Sequence, residues 1–377
     1  MKPNQQLEFE RDIPDDFREN WPGRAEIDER RYLIRGRLVR RVHWDRWTPG
    51  DIKYPGPIFD ANLMVQSIIE RMENAGVVAY AWALVRYGQL VDAGGIGYAR
   101  TASEQNLLDM TETTRMVSAS LAKPVCAVTI MKLVEDGVLS LNDLAYPFIQ
   151  AAFPDVHPSI KAITIRHLLT HTSGINGSGK LSQFGSVLQQ ATQNRPGTAT
   201  TYANANYWFL AYVVEGATGT GYLNYAREKI LVPMTINTMN NEVDDVPCLY
   251  YAAGTTSNGY AWGDFGSTQI GAYGWYASAI DWAKFMAYFR LDQVLEKQSR
   301  LTMLNAPEKY FGFRHWNGQP RGSYYGHGGD FIATGNRAFH GGIMGFPDGV
   351  DAVLLTNSDD VKNPENVLIQ AYHDAYA

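Results

Sequence analysis

The order of its hydrophobic patterns predicts an α+β fold for this chain, because strand-like segments lie on both sides of a long helical segment. Residues 77–85 and 90–98 predict a β-hairpin that turns at Tyr87-Gly88. Apolar residues at helical spacing dominate from 120 to 217, and short apolar strands interrupted by glycine pairs return from 323 to 357. The helices of the middle segment are therefore expected between two sets of strands.

Helical spacing also predicts two helices outside that middle segment, over residues 61–75 and 367–377. Near the N-terminus, residues 30–46 contain seven arginines, and this segment could form a strand or a surface clamp. Neighbouring acidic residues offset much of the positive charge, so a packing arm or a contact between subunits is favoured over nucleic-acid binding. We therefore expect residues 1–58 to be an N-terminal extension, through which a homo-oligomer could form.

The composition is that of an ordinary globular protein without strong attraction to nucleic acid or anionic membranes. Of the 377 residues, 45% are hydrophobic and 19% are charged, and the formal net charge is −6. The sequence contains neither a secretion signal nor a run of about 20 apolar residues. Its two cysteines, Cys126 and Cys248, suit a reducing compartment. We therefore expect a cytoplasmic protein that binds neither membranes nor nucleic acid.

The most informative short motif is Ser120-Leu121-Ala122-Lys123, at the start of a predicted helix that ends near Gly137. Residues three apart lie on the same face of a helix, so the Ser120 hydroxyl and the Lys123 amine can converge on one point. A serine becomes a good nucleophile when a base takes its proton, and a desolvated lysine can be that base. The motif alone is common by chance, but its position, where an extended segment enters an apolar helix, favours a catalytic nucleophile.

Two further segments carry groups that fit the same chemistry. Tyr202 and Asn204 are expected on a loop just before an apolar helical run. The tyrosine could be a packing residue, or a proton shuttle with its phenol pKa lowered by a nearby lysine ammonium. In His327-Gly328-Gly329 the paired glycines allow close approach of the backbone, as when an edge strand offers N–H groups to an acyl oxygen.

The motifs S-x-x-K, Y-x-N and H-x-G, in this order, resemble those of the serine β-lactamase/penicillin-binding-protein superfamily. The similar branch is that of class C β-lactamases with related esterases, D-aminopeptidases and acyltransferases, and residues 163–174, ITIRHLLTHTSG, are a fourth match. The resemblance implies an antiparallel β-sheet flanked by helices, with an inserted all-helical subdomain. It assigns residues 59–118 and 268–377 to the sheet domain and 119–267 to the helical subdomain, and leaves residues 1–58 outside the family pattern.

The resemblance also implies a role for each candidate residue in a covalent acyl-enzyme mechanism. Lys123 would take the proton of Ser120, Tyr202 would relay a proton to the leaving group, and Asn204 would position Lys123 and the substrate. The backbone N–H groups of Ser120 and Asp330 would bind the oxyanion. No metal or organic cofactor is expected.

The substrate is expected to be a small ester or amide. His327 stands where β-lactamases commonly have lysine, and this favours an esterase, amidase or transacylase. The alternatives are a β-lactamase or D,D-peptidase, and a non-catalytic binding protein on the same scaffold.

Several details of the site leave alternatives open. His340-Gly341-Gly342 competes for the third motif, but His327 lies about 30 residues before Asn357, which leaves room for two more hairpin-connected strands. We expect His327 and Gly329 to face the substrate. The Asp330 carboxylate could repel acidic substrates and attract an amine at the pocket rim, or it could point to solvent or pair with Arg337.

Two other motifs occur in the sequence. Residues 174–180 resemble a phosphate-binding loop, but Leu181 stands in place of the magnesium-binding serine or threonine, so a flexible loop is favoured. His167 and His171 are spaced to share a metal on one helix face, yet no third ligand is evident. A structural hydrogen bond is the favoured interpretation for His171.

Overall fold

The computed structural model describes residues 28–34, 37–43, 59–177 and 180–376. The strands in these ranges are β1 (Asp28–Ile34), β2 (Arg37–His43), β3 (Ala79–Arg86), β4 (Gln89–Arg100), β5 (Leu108–Asp109), β6 (Met116–Val117), β7 (Tyr276–Ala277), β8 (Tyr310–Phe311), β9 (Phe313–Gln319), β10 (Gly322–Ala333), β11 (Arg337–Gly345) and β12 (Val350–Thr356). The α-helices are α1 (Ala61–Ala75), α2 (Ala122–Glu135), α3 (Tyr146–Ile149), α4 (Ile165–Leu169), α5 (Phe184–Leu188), α6 (Asn204–Thr218), α7 (Tyr222–Ala226), α8 (Ala279–Arg290), α9 (Lys297–Leu304) and α10 (Pro364–Asp374).

One large antiparallel sheet joins strands from the two ends of the chain. Its strand order is β1-β2-β4-β3-β12-β11-β10-β9-β8, with β5 paired to β4, while β6 and β7 form a separate two-stranded sheet. The helices α2 to α7 all come from the chain between β6 and β7. The predicted α+β fold, with an antiparallel sheet and helices inserted after the first hairpin, is confirmed.

Local sequence explains the elements that were predicted best. Helix α1 has the predicted bounds, because the Asp60 side chain accepts hydrogen bonds from two N–H groups of its first turn and Gly76 ends it at φ +73°. The β3–β4 hairpin turns at Tyr87-Gly88, where both residues have positive φ, as a two-residue hairpin turn requires. The closing helix, predicted over 367–377, lies at Pro364–Asp374 and begins with a proline in its first turn.

The sheet has an apolar core on each face. Along β3, Ala79, Ala81 and Ala83 belong to the core on the side of the inserted helices, whereas Tyr80 and Trp82 belong to the other core, with α1 and α10. This alternation is the period of two expected for a strand covered on both faces. The sheet is therefore a central layer, and α8 packs directly on the face whose core it shares with the inserted helices.

The N-terminal extension contributes strands β1 and β2 to the edge of the main sheet, where β2 pairs with β4. The rest of residues 1–58 lies outside the described residues, as do Ser178 and Gly179 of the glycine-rich loop. The proposed domain boundaries and the contact between subunits remain predictions. Within the described part of the chain, no helix has the length and apolar character required to cross a membrane.

Candidate active site

Ser120 lies in a tight turn that enters the buried helix α2. Residues Ala119–Leu121 form one 3-10 turn, and Ala119 has φ +40°, an uncommon conformation for a residue with a side chain. The turn is anchored by Ser118, whose Oγ donates to the carbonyl of Trp275 at 2.6 Å. Strand β10 lies directly against it, since a Cβ added at Gly329 would meet the carbonyl oxygen of Ser118 at 3.1 Å. The Ser120 hydroxyl is thus held at a strained, tightly packed turn.

The Lys123 amine is buried beneath Ser120 and makes three polar contacts. Its Nζ lies 2.9 Å from Ser120 Oγ, 2.9 Å from Asn204 Oδ1 and 3.0 Å from the carbonyl oxygen of Ala272. The residue is 0% exposed, and this burial lowers the pKa of Lys123 to about 7. A substantial fraction of the amine is therefore neutral near pH 7, as a general base must be.

Asn204 and Tyr202 are held in place by His171. Asn204 is the first residue of α6, and its side-chain Oδ1 accepts a hydrogen bond from the Lys123 amine. Just before it, the Ala203 N–H donates to Nδ1 of His171 at 3.3 Å, and the Asn206 amide lies 2.9 Å from the same nitrogen. Burial lowers the pKa of His171 well below its usual value, so the ring is neutral and accepts these bonds. The predicted structural role of His171 is confirmed, and it serves the loop that carries Tyr202.

The Tyr202 phenol faces Ser120 and Lys123, but its electrostatics differ from the sequence-based expectation. Lys123 Nζ lies 4.9 Å from the centre of the Tyr202 ring. The residue keeps 36% of its surface exposed, while burial of the phenol group raises its pKa above the usual range and a hydrogen bond with Ser120 offsets this only in part. The expected lowering of the pKa of Tyr202 by a lysine ammonium was therefore wrong. Tyr202 is a neutral phenol that can donate a proton.

His327 lies on the part of β10 that borders the site. Its ring centre is 6.0 Å from that of Tyr202 and 6.5 Å from that of Tyr310. Its Nδ1 lies 2.6 Å from the carbonyl oxygen of Gly328, and the residue is 5% exposed. Burial, followed by the nearby Lys123, lowers the pKa of His327 to about 3. The ring is therefore uncharged.

Beyond Gly326, β10 has a free side toward the turn of Ser120. Strand β9 pairs with β10 only up to Gly326 among the described residues, while β11 continues along the other side as far as Ala333. An edge of this kind can offer backbone N–H groups to a substrate oxygen. The strands β11 and β12 then follow, as the 30-residue interval before Asn357 predicted. His340 of the competing motif lies on β11 opposite Asp330.

A cavity of about 820 Å³ opens beside Ser120, and Lys123, Tyr202 and His327 are not among its lining residues. Its lining contains both Ser120 and Asn204, and it also contains Asp330. The other lining residues are Ala119, Lys180, Leu181, Ser182, Tyr212, Gln269, Tyr273 and Phe331. The aromatic members, Tyr212, Tyr273 and Phe331, can pack against an apolar acyl group. The Asp330 side chain is 55% exposed, and Oδ1 contacts His340, not Arg337.

The structure also shows contacts that the motifs did not predict. Tyr310 packs its ring against those of His171 and Tyr202, at 5.4 and 5.5 Å. The carbonyl of Ala272 accepts from Lys123, and His340 contacts both Asp330 and Asp359. A backbone carbonyl carries no sequence signature, and isolated tyrosines are too common to be singled out from one sequence.

The competing motifs form no second site in the described residues. His167 caps α4 through a reciprocal pair of hydrogen bonds with Thr164. No group of three or more His, Cys, Asp or Glu side chains in the described ranges is arranged to hold a metal ion. Of the glycine-rich loop, only part lies within the described residues.

Comparison with known proteins places the chain in a family. The family model "Beta-lactamase" matches residues 64–375. The chain is 26% identical over 298 residues to the putative penicillin-binding protein PbpX of Bacillus subtilis (strain 168), an alignment that covers 76% of this chain and 69% of that protein. It is 24% identical to protein flp of Staphylococcus aureus (strain MW2), over 46% of this chain and 37% of that protein.

Similar solved structures share the fold. The octameric penicillin-binding protein homologue from Pyrococcus abyssi has a TM-score of 0.69 at 22% identity, over 83% of this chain and 76% of that one. A D-stereospecific amidohydrolase from Streptomyces sp. has a TM-score of 0.66 at 18% identity, over 83% of this chain and 98% of that one. The chain therefore belongs to the beta-lactamase family, within the serine β-lactamase/penicillin-binding-protein superfamily of hydrolases and acyltransferases.

Proposed function

We propose that this protein is a serine hydrolase or acyltransferase that acts on an ester or amide through an acyl-enzyme on Ser120. The observation that carries the proposal is the environment of Lys123 Nζ, 2.9 Å from Ser120 Oγ and 0% exposed. A buried amine with a pKa of about 7 can take the serine proton near neutral pH. A lysine kept only for packing would have no need of this contact.

Acylation begins when Lys123 takes the proton of Ser120 and Oγ attacks the acyl carbonyl. The oxyanion is bound by the N–H groups of Ser120 and Asp330, since the turn of Ser120 and the free side of β10 lie together. The tetrahedral intermediate collapses as the bond to the leaving group breaks. The leaving group receives the proton from Lys123 through the neutral phenol of Tyr202. In deacylation, water or another acceptor attacks the acyl-enzyme and the proton returns to Oγ by the reverse route.

His327 and Gly329 shape the substrate side of β10. The uncharged His327 ring offers no fixed positive charge to a substrate carboxylate, and this supports an ester or amide substrate over a carboxylate-bearing β-lactam. Gly329 leaves room for the backbone to approach the turn of Ser120.

A cytoplasmic location, inferred from the two cysteines, remains part of this proposal.

The test compares turnover of a p-nitrophenyl ester with turnover of nitrocefin by the wild-type protein, Ser120→Ala and Lys123→Ala. We expect ester turnover to exceed nitrocefin turnover, and Lys123→Ala to lose at least about 10³-fold in acylation rate. Efficient nitrocefin turnover would favour a β-lactamase instead. Absence of turnover on every ester, amide and β-lactam tested would favour a binding protein.

A further inference from the structure

We propose that Asp330 selects substrates with a cationic group beside the scissile ester or amide, and that His340, clamped between Asp330 and Asp359, positions the Asp330 carboxylate for this role. The proposal rests on the proposed function, because it concerns the pocket in which Ser120 acts. Asp330 is the recognition residue, and His340 is a positioning residue that acts through it.

Asp330 lies where a carboxylate can meet a substrate. It lines the same cavity of about 820 Å³ as Ser120, and its side chain is 55% exposed. Oδ1 is engaged by His340, and among the described residues Oδ2 makes no hydrogen bond. The other charged residue of the lining is Lys180. Asp330 is therefore the lining group that would attract a substrate cation.

His340 is buried directly behind Asp330 and uses both ring nitrogens. Nδ1 lies 2.6 Å from Asp330 Oδ1, and Nε2 lies 2.9 Å from Asp359 Oδ1. Ionised carboxylates only accept hydrogen bonds, so both contacts are satisfied together when both ring nitrogens carry protons. The His340 side chain is 1% exposed. The result is an imidazolium held by two charge-assisted hydrogen bonds, and it fixes the orientation of the Asp330 carboxylate.

Of the carboxylates around His340, Asp330 is the one available to a ligand. Asp359 is shared between His340 and Lys362, whose Nζ lies 3.8 Å from Asp359 Oδ2. Glu365 of α10 is a further carboxylate near His340. Burial raises the pKa of Glu365, and the neighbouring Asp330 contributes less to the same shift. Burial alone would lower the pKa of His340, but its bonds to the two aspartates outweigh burial and raise the pKa. The imidazolium thus balances one of the two aspartates, and Lys362 lies close to Asp359.

The experiment measures kcat/KM on three p-nitrophenyl esters of similar size, with the spontaneous rate subtracted. The acyl groups are alanyl (each enantiomer), isobutyryl and 2-carboxypropanoyl, which place an ammonium, a methyl or a carboxylate at one position. The proteins are the wild type, Asp330→Asn, His340→Gln and the control Asp109→Asn, which removes the same charge from an exposed residue of β5 outside the cavity lining.

We expect Asp330→Asn to lower the alanyl-to-isobutyryl ratio by at least about fivefold and to raise the 2-carboxypropanoyl-to-isobutyryl ratio, because the pair is partly exposed. His340→Gln should lower the first ratio by about threefold through KM, with little change in kcat. Asp109→Asn should change neither ratio by more than about 1.5-fold. An Asp330→Asn variant in which all three esters change equally would overturn the proposal.

A pH series separates positioning by His340 from a merely structural role. An ester with a trimethylammonium group keeps its charge at every pH, so a change in its KM reports on the protein. We expect this KM to rise as pH passes above the pKa of His340, and His340→Gln to lack that rise. A wild-type KM that shows no rise relative to His340→Gln, across the pH range in which both proteins stay folded, contradicts the role of His340. Failure of wild-type turnover, with Ser120 unlabelled, would instead contradict the proposed function.

Discussion

Lys123 has the set of contacts that a neutral amine can satisfy completely. Such an amine has two N–H donors and one lone pair. The oxygens of Asn204 and Ala272 can only accept, at 2.9 and 3.0 Å, and the Ser120 hydroxyl at 2.9 Å can donate to the lone pair. Proton transfer from Ser120 therefore requires no rearrangement of heavy atoms. At the scale of single residues, this geometry connects a four-residue sequence motif to acyl-transfer chemistry.

The first prediction concerns the pH dependence set by Lys123. Only the neutral amine accepts the serine proton, so kcat/KM should rise with pH up to about 7 and then level off. Asn204→Asp places a carboxylate beside the amine and favours the ammonium form. We expect the rising limb to move upward by about one pH unit, which costs about tenfold in kcat/KM at low pH. Stopped-flow acylation rates measure this, and a limb that stays in place or moves to lower pH contradicts the assignment.

The second prediction concerns the phenol of Tyr202. Tyr202→Phe keeps the ring that packs near His171 and Tyr310, at 4.4 and 5.5 Å, and removes only the hydroxyl. The variant should fold normally and lose about 10²–10⁴-fold in kcat. Steady-state kinetics with circular dichroism checks both parts. A loss below about threefold would make Tyr202 a packing residue.

At the scale of elements, the contact between β10 and the turn before α2 sets the geometry of the site. The turn is strained at Ala119, and β10 lies close to it at Gly329. A Cβ at Gly329 would lie 3.1 Å from Leu121 Cγ and 3.1 Å from the Ser118 carbonyl oxygen. Such contacts can be relieved only by a shift of the strand or the turn. The proposed oxyanion site lies between these two elements.

The third prediction tests this contact. Gly329→Ala should move β10 away from Ser120 by a few tenths of an ångström and lower acylation by about 10- to 100-fold, because catalysis is sensitive to misplacement of this size. Gly263→Ala is the control, since Gly263 has open space around its Cβ position and no positive φ. Acylation rates of the two variants, measured per folded molecule, test this prediction. Equal acylation rates of the two variants would show that the contact between β10 and the turn of Ser120 does not control catalysis.

Short-range patterns predicted some elements well and missed others. The bounds of α1 and the β3–β4 hairpin followed from a capping aspartate, a terminal glycine and a tight turn, all of which act within a few residues. The placement of His340 between Asp330 and Asp359 depends on the pairing of β10 with β11 and on a loop after β12. The raised pKa of Tyr202 depends on burial. Neither the placement of His340 nor the burial of Tyr202 can be predicted from a single sequence.

At the scale of the whole molecule, an ion pair connects helix α8 to the sheet. Arg290 of α8 donates from Nε and Nη2 to both oxygens of Asp351 on β12, each at 2.7 Å. Asp351 is 0% exposed, and its burial, against the opposing effect of Arg290, raises its pKa. Two charges taken out of water are tolerated only as a well-formed pair, so removal of one partner leaves the other uncompensated.

The fourth prediction separates stability from chemistry. Asp351→Ala should lower the free energy of unfolding by about 3–5 kcal/mol, because it leaves the Arg290 guanidinium, only 18% exposed, without its carboxylate partner. Asp374→Ala, at the exposed ion pair with Arg71, should cost no more than about 1 kcal/mol. Denaturant unfolding measures both. Equal losses in the two variants would contradict the importance given to the buried pair.

The central claim is that Ser120 forms the acyl-enzyme, and intact mass spectrometry with peptide mapping tests it most directly. After incubation with an active-site phosphonate or a slow acylating ester, we expect one adduct per chain, on the peptide that contains Ser120. We also expect at least about 10³-fold slower labelling in Lys123→Ala, because the serine then lacks its base. Label on any other residue, or full turnover by Ser120→Ala, would contradict the account.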